Sequence, residues 1–153
     1  MKKRLLSALL ALALVFVLLP TTALADTTPV TDENVKINGT AVIVGNDISL
    51  GEGNGTYSYD KSTRTLTLNN ATITATGSNI GIDFCDTTNY VTYSVILTGE
   101  NTVTSNNIAI ETTPNTNLTF TGGGNLKAIT NGYYQAIRVY GTLTIDNSTL
   151  IAE

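Results

Sequence analysis

Five aromatic or basic side chains of the chain could together contact a carbohydrate. Sugar binding uses exposed aromatic faces, on which a sugar ring stacks, together with planar polar groups that hydrogen-bond to its hydroxyls. Two pairs of tyrosines fall in stretches that are typical of loops, and an arginine follows the second pair: Tyr90, Tyr93, Tyr133, Tyr134 and Arg138. If both loops leave the fold on the same side, these residues form a stacking platform. The alternative is that the tyrosines cover the bases of their loops and bind nothing.

Three carboxylates could hold a calcium ion. When the third strand of each predicted repeat is aligned, Asp83, Glu111 and Tyr140 fall in one outward row, with Arg138 in the neighbouring row. Neighbouring side chains within such a row lie about one strand spacing, ~4.8 Å, apart, so the two like charges of Asp83 and Glu111 either extend into water or share a cation. We predict no cofactor and interpret the row as a solvated acidic edge. The alternative is a shared Ca²⁺ ion, whose ligands would be Asp83, Glu111 and the nearby Asp86.

The composition excludes several classes of chemistry. The 153 residues contain no histidine, so catalytic triads, general bases and metal sites that need histidine are absent. The single cysteine, Cys85, excludes an intramolecular disulfide and a thiolate cluster. Asp83 and Glu111 would lie too close together for an inverting glycosidase. We therefore predict no enzymatic activity, while a polysaccharide lyase or a retaining hydrolase stays open as a lesser alternative.

Residues 1–25 predict a secretory signal peptide. A basic start at residues 2–4 precedes an almost wholly apolar run over residues 5–19, and Ala23-Leu24-Ala25 offers a small-x-small cleavage site. Three of the eight basic residues belong to this leader, which leaves five basic against twelve acidic residues in the mature chain. We therefore expect a secreted protein, free or attached to the cell surface, with no membrane association after cleavage. Its acidity argues against nucleic acid as a partner.

The mature chain repeats a short pattern that predicts a solenoid. Bursts of two or three apolar residues at alternate positions recur, each too short for an ordinary sandwich strand of ~5–6 residues. Three such bursts fill each repeat of about 23–29 residues, which indicates a right-handed parallel β-helix. The alignment predicts one interior file of stacked side chains: Leu66, Val95, Leu118 and Leu143. An antiparallel β-sandwich with hairpins at the Asn-rich bends is the rival fold.

The chain divides into a cap and the coils. Residues 26–60 lack the repeat and predict strands that cap the first coil, because the end of a solenoid must be covered. Residues 61–153 predict the coils, of which the last begins at Leu143 and is incomplete. We therefore expect either further domains downstream of Glu153 or a truncated gene.

The segment Tyr59 to Ile73, with its Tyr-Asp and Thr-Leu-Thr-Leu-Asn-Asn-Ala sequences, resembles a known family. It is similar to β-helix repeat modules of secreted and cell-surface proteins of Firmicutes that are described as carbohydrate-binding domains, and Val35 to Gly39 matches the way those modules open. The resemblance implies a bacterial surface module that binds polysaccharide. Related β-helix proteins include pectate-lyase-like enzymes that use Ca²⁺, although no lyase motif is present here. A structural or adhesive spacer of a larger surface protein, without a ligand of its own, is the alternative.

Overall fold

The computed structural model describes residues 28–87 and 90–153, so the predicted signal peptide lies outside the described residues. All regular structure in these ranges is β. No helix that could cross a membrane occurs among the described residues.

Fifteen strands follow one another in the described residues. The first four are β1 (Thr31–Ile37), β2 (Thr40–Ile43), β3 (Gly45–Ser49) and β4 (Thr56–Asp60). The first coil contains β5 (Thr65–Asn69), β6 (Thr72–Thr74) and β7 (Ile82–Phe84), and the second contains β8 (Val91–Thr98), β9 (Glu100–Ser105) and β10 (Ile110–Thr112). The third coil contains β11 (Thr116–Thr121), β12 (Asn125–Thr130) and β13 (Ile137–Arg138), and β14 (Leu143–Ile145) and β15 (Thr149–Ala152) follow it.

The strands form three sheets that run along the stack of coils. Sheet A has the order β13-β10-β7-β1-β2, sheet B the order β14-β11-β8-β5-β4-β3, and sheet C the order β15-β12-β9-β6. Strands of successive coils pair in parallel in every sheet. The predicted all-β parallel solenoid is therefore confirmed, with about three turns, and the rival antiparallel sandwich is wrong.

The strands before the coils pair in the opposite sense. β1 pairs antiparallel with β7 at the end of sheet A, and β4 pairs antiparallel with β5 at the end of sheet B. The β1–β2 hairpin turns at Asn38 and Gly39, whose φ angles of 49° and 77° suit an asparagine and a glycine. Sheet C receives no such strand among the described residues, so β6 is its end strand.

The stacked interior differs from the predicted file by a two-residue slip. The observed file is Leu66, Val95, Phe120 and Ile145. Leu118 lies two residues earlier in β11 and pairs with Tyr93 of β8. Because side chains alternate along a strand, a slip of two leaves every one of them on the interior face. The repeat lengths are accordingly 29, 25 and 25 residues.

The connections between sheets absorb the differences in coil length. From sheet A to sheet B the interior positions are 13 residues apart in the first coil (Ile82 to Val95), 10 in the second (Ile110 to Phe120) and 8 in the third (Ile137 to Ile145). Pairing on both sides stays parallel and in register across these changes.

One interior position holds an asparagine that joins three coils. The side chain of Asn101 is buried, and its Oδ1 accepts the Ala71 backbone N–H at 2.8 Å. Its Nδ2 donates to the carbonyls of Thr98, Gly99 and Asn125 at 3.1–3.3 Å. These bonds satisfy the N–H of the fully buried Ala71 and tie it to carbonyls of the second and third coils.

Candidate functional site

The outer face of sheet A carries a row of four charged side chains. Lys36 of β1 pairs in register with Asp83 of β7, and Asp83 pairs with Glu111 of β10. Arg138 of β13 follows Glu111. The predicted adjacency of Asp83 and Glu111 is thus confirmed, but the predicted third member, Tyr140, was wrong. The sequence alignment shifted the register of the third coil by two residues. Such a shift keeps every side chain on the same face, so the apolar pattern cannot reveal it.

Arg138, at one end of this row, binds the neighbouring carboxylate of Glu111. Its Nε donates to Glu111 Oε1 at 2.6 Å, and its Nη2 contacts the same oxygen. Its guanidinium carbon lies 5.6 Å from the centroid of the Tyr140 ring, within the range of a cation–π contact. Arg138 therefore neutralises Glu111 and fixes an aromatic ring beside it.

Asp83 is the carboxylate of the row without a neutralising contact of this kind. It is partly buried, and burial raises the pKa of its carboxyl. The negative charge of Glu111 raises this pKa further, while Lys36 acts in the opposite direction. The carboxylate is therefore incompletely solvated and lies next to a second negative group.

A hollow of about 320 Å³ opens beside Asp83. Its lining consists of Asp83, Cys85, Glu111, Thr112, Thr113, Pro114 and Tyr140. The Cys85 thiol donates to the Glu33 carbonyl at 3.1 Å, and burial raises its pKa, so the thiol stays protonated rather than acting as a nucleophile. The hollow thus combines an aromatic ring with two carboxylates and small polar side chains.

The predicted sugar-binding tyrosines do not share one loop cluster. Tyr90, Tyr133, Tyr134 and Tyr140 are each more than half exposed. Tyr90 and Tyr140 lie in connections from sheet A to sheet B, whereas Tyr133 and Tyr134 lie in the connection from sheet C to sheet A. The exposed rings therefore stand at both borders of the outer face of sheet A, with the charged row between them.

Tyr93 was wrongly assigned to an exposed loop. It lies in β8, its side chain is 1% exposed, and its ring packs 5.1 Å from that of Phe84. A buried ring cannot stack on a sugar, so Tyr93 leaves the predicted site. The alternation of Val91, Tyr93 and Val95 was the sequence signal that could have placed it in the core.

Two buried tyrosine–aspartate pairs explain where Tyr93 and Asp86 point. The Tyr93 hydroxyl donates to Asp86 at 3.0 Å, and the Tyr59 hydroxyl donates to Asp32 at 2.9 Å. Burial, then the bonded carboxylate, raises the pKa of each phenol. The Arg64 Nε lies 3.9 Å from Asp86. The two tyrosine–aspartate pairs and Arg64 therefore stabilise the part of the interior that lies next to the cap strands.

The predicted calcium ligands do not converge. Asp83 and Glu111 are neighbours, but Asp86 is buried against Tyr93 and Arg64. Among the described residues no group of three acidic, His or Cys side chains could hold a metal ion. The structure therefore does not bring the three predicted ligands together, because Asp86 lies in the interior and Glu111 is bound by Arg138.

Sequence reasoning missed Lys36 as a member of the site. The residue was assigned to the cap, where it indeed lies, but antiparallel pairing with β7 brings it beside Asp83. The alternation of Val35, Lys36 and Ile37 indicated an outward side chain. Nothing in the sequence indicated which strand would lie next to it.

A larger cavity of about 400 Å³ lies at the capped end. Strand β2, the end of β3, Tyr57 and strand β6 line it. No described residue in its lining is charged. The candidate site is therefore the outer face of sheet A, where an aromatic ring and charged groups meet.

No protein-family model, curated protein or solved structure matches this chain.

Proposed function

We propose that the chain is a secreted, non-catalytic surface module that binds polysaccharide across the outer face of sheet A. The observation that carries the proposal is the exposed Tyr140 ring, which Arg138 fixes beside the hollow at Asp83 and Glu111. A sugar ring stacked on Tyr140 would place its hydroxyls within reach of these polar groups. Such a combination of one apolar face and a few convergent polar groups is characteristic of ligand sites.

The exposed tyrosines at the borders of the face support a ligand longer than one sugar. Tyr90 lies on the same border as Tyr140, and Tyr133 and Tyr134 lie on the opposite border. A chain that crosses sheet A would meet rings at both ends of its path. This arrangement retains Tyr90, Tyr133, Tyr134 and Arg138 from the sequence prediction and adds Tyr140.

Binding is tested with a glycan array and then by titration of the best glycan into purified protein. We expect Tyr140→Ala to weaken binding about tenfold, the value of one stacking contact. Ile151→Ala is the matched control, because it also removes an exposed apolar side chain, but from sheet C. Unchanged affinity in Tyr140→Ala would remove the proposed site, and an array without any bound glycan would remove the function.

The export that the proposal assumes has its own test. N-terminal sequencing of protein recovered from the culture medium or the cell surface should begin at Asp26. A chain recovered from the cell interior with residues 1–25 intact would contradict export.

A structural spacer is the second candidate, and a specific observation favours it. Leu143 and Ile145 of β14 continue the interior face of sheet B, yet their side chains are exposed at the end of that sheet, where no further strand lies among the described residues. Another coil would cover them, as in a longer rod. A protein that binds no glycan but carries neighbouring domains at a fixed spacing would be of this kind.

A further inference from the structure

Four carboxylates among the described residues are buried or partly buried, and they differ in their hydrogen-bond and ion-pair partners. They are Asp32, Asp83, Asp86 and Glu111. Asp32 and Asp86 each accept a tyrosine hydroxyl, and Glu111 binds Arg138. Within the described ranges Asp83 accepts no hydrogen bond and forms no ion pair. A partly buried carboxylate without such a partner is costly unless a ligand supplies one.

The surroundings of Asp83 favour a positively charged partner. Glu111 lies beside it in the lining of the hollow, and no basic side chain among the described residues belongs to that lining. Lys36 neighbours Asp83 from β1 but does not belong to the lining, and Arg138 is occupied by Glu111. Burial and Glu111 together outweigh Lys36, since the pKa of Asp83 is raised. A cation bound in the hollow would offset both the burial of the Asp83 carboxylate and the repulsion from Glu111.

The Tyr140 ring indicates which kind of cation the hollow would bind. Its ring belongs to the same lining, and more than half of the residue is exposed. An ammonium group is attracted to the face of an aromatic ring as well as to a carboxylate. A sugar that carries a free amino group offers both an ammonium group and an apolar face for stacking.

We propose that this site, given the polysaccharide binding proposed above, selects glycans with free amino groups, whose ammonium binds Asp83 while the sugar ring stacks on Tyr140. A neutral sugar would give Asp83 only hydroxyl donors, and charge-assisted bonds are about twice as strong. An acidic sugar would bring a third negative charge to Asp83 and Glu111. The excess of acidic residues in the mature chain acts in the same direction at longer range.

The test compares three hexasaccharides by titration calorimetry with purified protein at about pH 6, where free amino groups are protonated. The probes are oligomers of glucosamine, of N-acetylglucosamine and of galacturonate. We expect the glucosamine oligomer to bind about tenfold more tightly than its acetylated form, since one charge-assisted bond is gained. Galacturonate should bind most weakly.

Variants assign the preference to Asp83. Asp83→Asn should remove the tenfold preference for the glucosamine oligomer over its acetylated form, whereas Glu153→Gln, which changes an exposed carboxylate just after β15, should leave that preference unchanged. Far-UV circular dichroism checks that Asp83→Asn is folded. If the preference persists in folded Asp83→Asn, the proposal is overturned.

The outcomes separate this proposal from the general one. Equal binding of the two glucosamine forms, lost in Tyr140→Ala, would overturn the amino-sugar selectivity and keep polysaccharide binding. Tighter binding of galacturonate would do the same. Competition by hexalysine as strong as that of the glucosamine oligomer would overturn the proposal, because an ammonium without a sugar would then suffice. Binding of none of the three glycans would count against both proposals.

Discussion

Replacement of Asn101 tests whether the interior of the coils depends on hydrogen bonds or on filled volume alone. Asn101 is 2% exposed, and the residues that stack on it in sheet C are Leu126 and, one coil further, Leu150. The shape of this position therefore accepts leucine. Asn101→Leu keeps the position filled and removes the hydrogen bonds, whereas Asn101→Ala removes the hydrogen bonds and also leaves a void.

The magnitudes follow from the contacts. Without Asn101 the fully buried Ala71 N–H loses its acceptor, at a cost of about 2 kcal/mol. The carbonyls of Thr98, Gly99 and Asn125 lose their shared donor, which adds about 1 kcal/mol. Burial of the leucine side chain returns about 2 kcal/mol. We therefore expect Asn101→Leu to lower the free energy of unfolding by about 1 kcal/mol. Asn101→Ala, which leaves a cavity, should lower it by about 4 kcal/mol.

Urea unfolding followed by far-UV circular dichroism measures both changes at 25 °C. The control is Asn125→Ala, because the Asn125 amide lies outside the core and donates only to Glu100 at 2.6 Å, so its loss should change stability by less than about 0.5 kcal/mol. The sign of the leucine variant decides the question. If volume alone mattered, Asn101→Leu would be more stable than the parent protein, and that result would refute the hydrogen-bond reasoning.

Three further measurements test the fold and the site. Phe120→Ala in the interior file should cost about 3–5 kcal/mol in the same urea assay, and a loss below about 1 kcal/mol would contradict the stacked file. Since the phenols of Tyr59 and Tyr93 have pKa values raised above the unfolded value of about 10, the folded state keeps protons that the unfolded state loses, so stability should fall as the pH rises above about 10. Absorbance at 295 nm should show these phenols ionising only with unfolding; their ionisation in folded protein would contradict their burial. Lys127→Gln should change stability by less than about 0.5 kcal/mol, because its ion pair with Glu153 is exposed, and a larger loss would show that this pair stabilises the coil.

The sequence was sufficient for the fold because each coil repeats the same short alternation. Leu66-Thr67-Leu68 and Leu143-Thr144-Ile145 indicate inward and outward faces directly, and stacking follows from the repeat. Register was harder to predict. A two-residue slip preserves the alternation, so Leu118 and Phe120 compete for the same place, and only the paired backbones decide between them.

The same limit explains the errors at the site. Arg138 takes the place predicted for Tyr140 in the charged row for the same reason that Phe120 replaces Leu118 in the interior file. Tyr93 was placed in a loop because the step from β7 to β8 is long, although β8 begins early enough to bury the tyrosine. The partner of Lys36 depends on the antiparallel return of β1, which no local pattern reveals.

The connection from sheet A to sheet B becomes shorter from coil to coil. Its length can therefore vary, whereas the pairing of the strands that it joins is preserved. Successive turns tolerate segments of 13, 10 and 8 residues there, while the strands on either side keep their pairing. Natural insertions, or loops grafted by an engineer, should therefore change the rim of the exposed face without requiring compensating changes in the core. A lineage built on this scaffold is expected to diversify in that connection first.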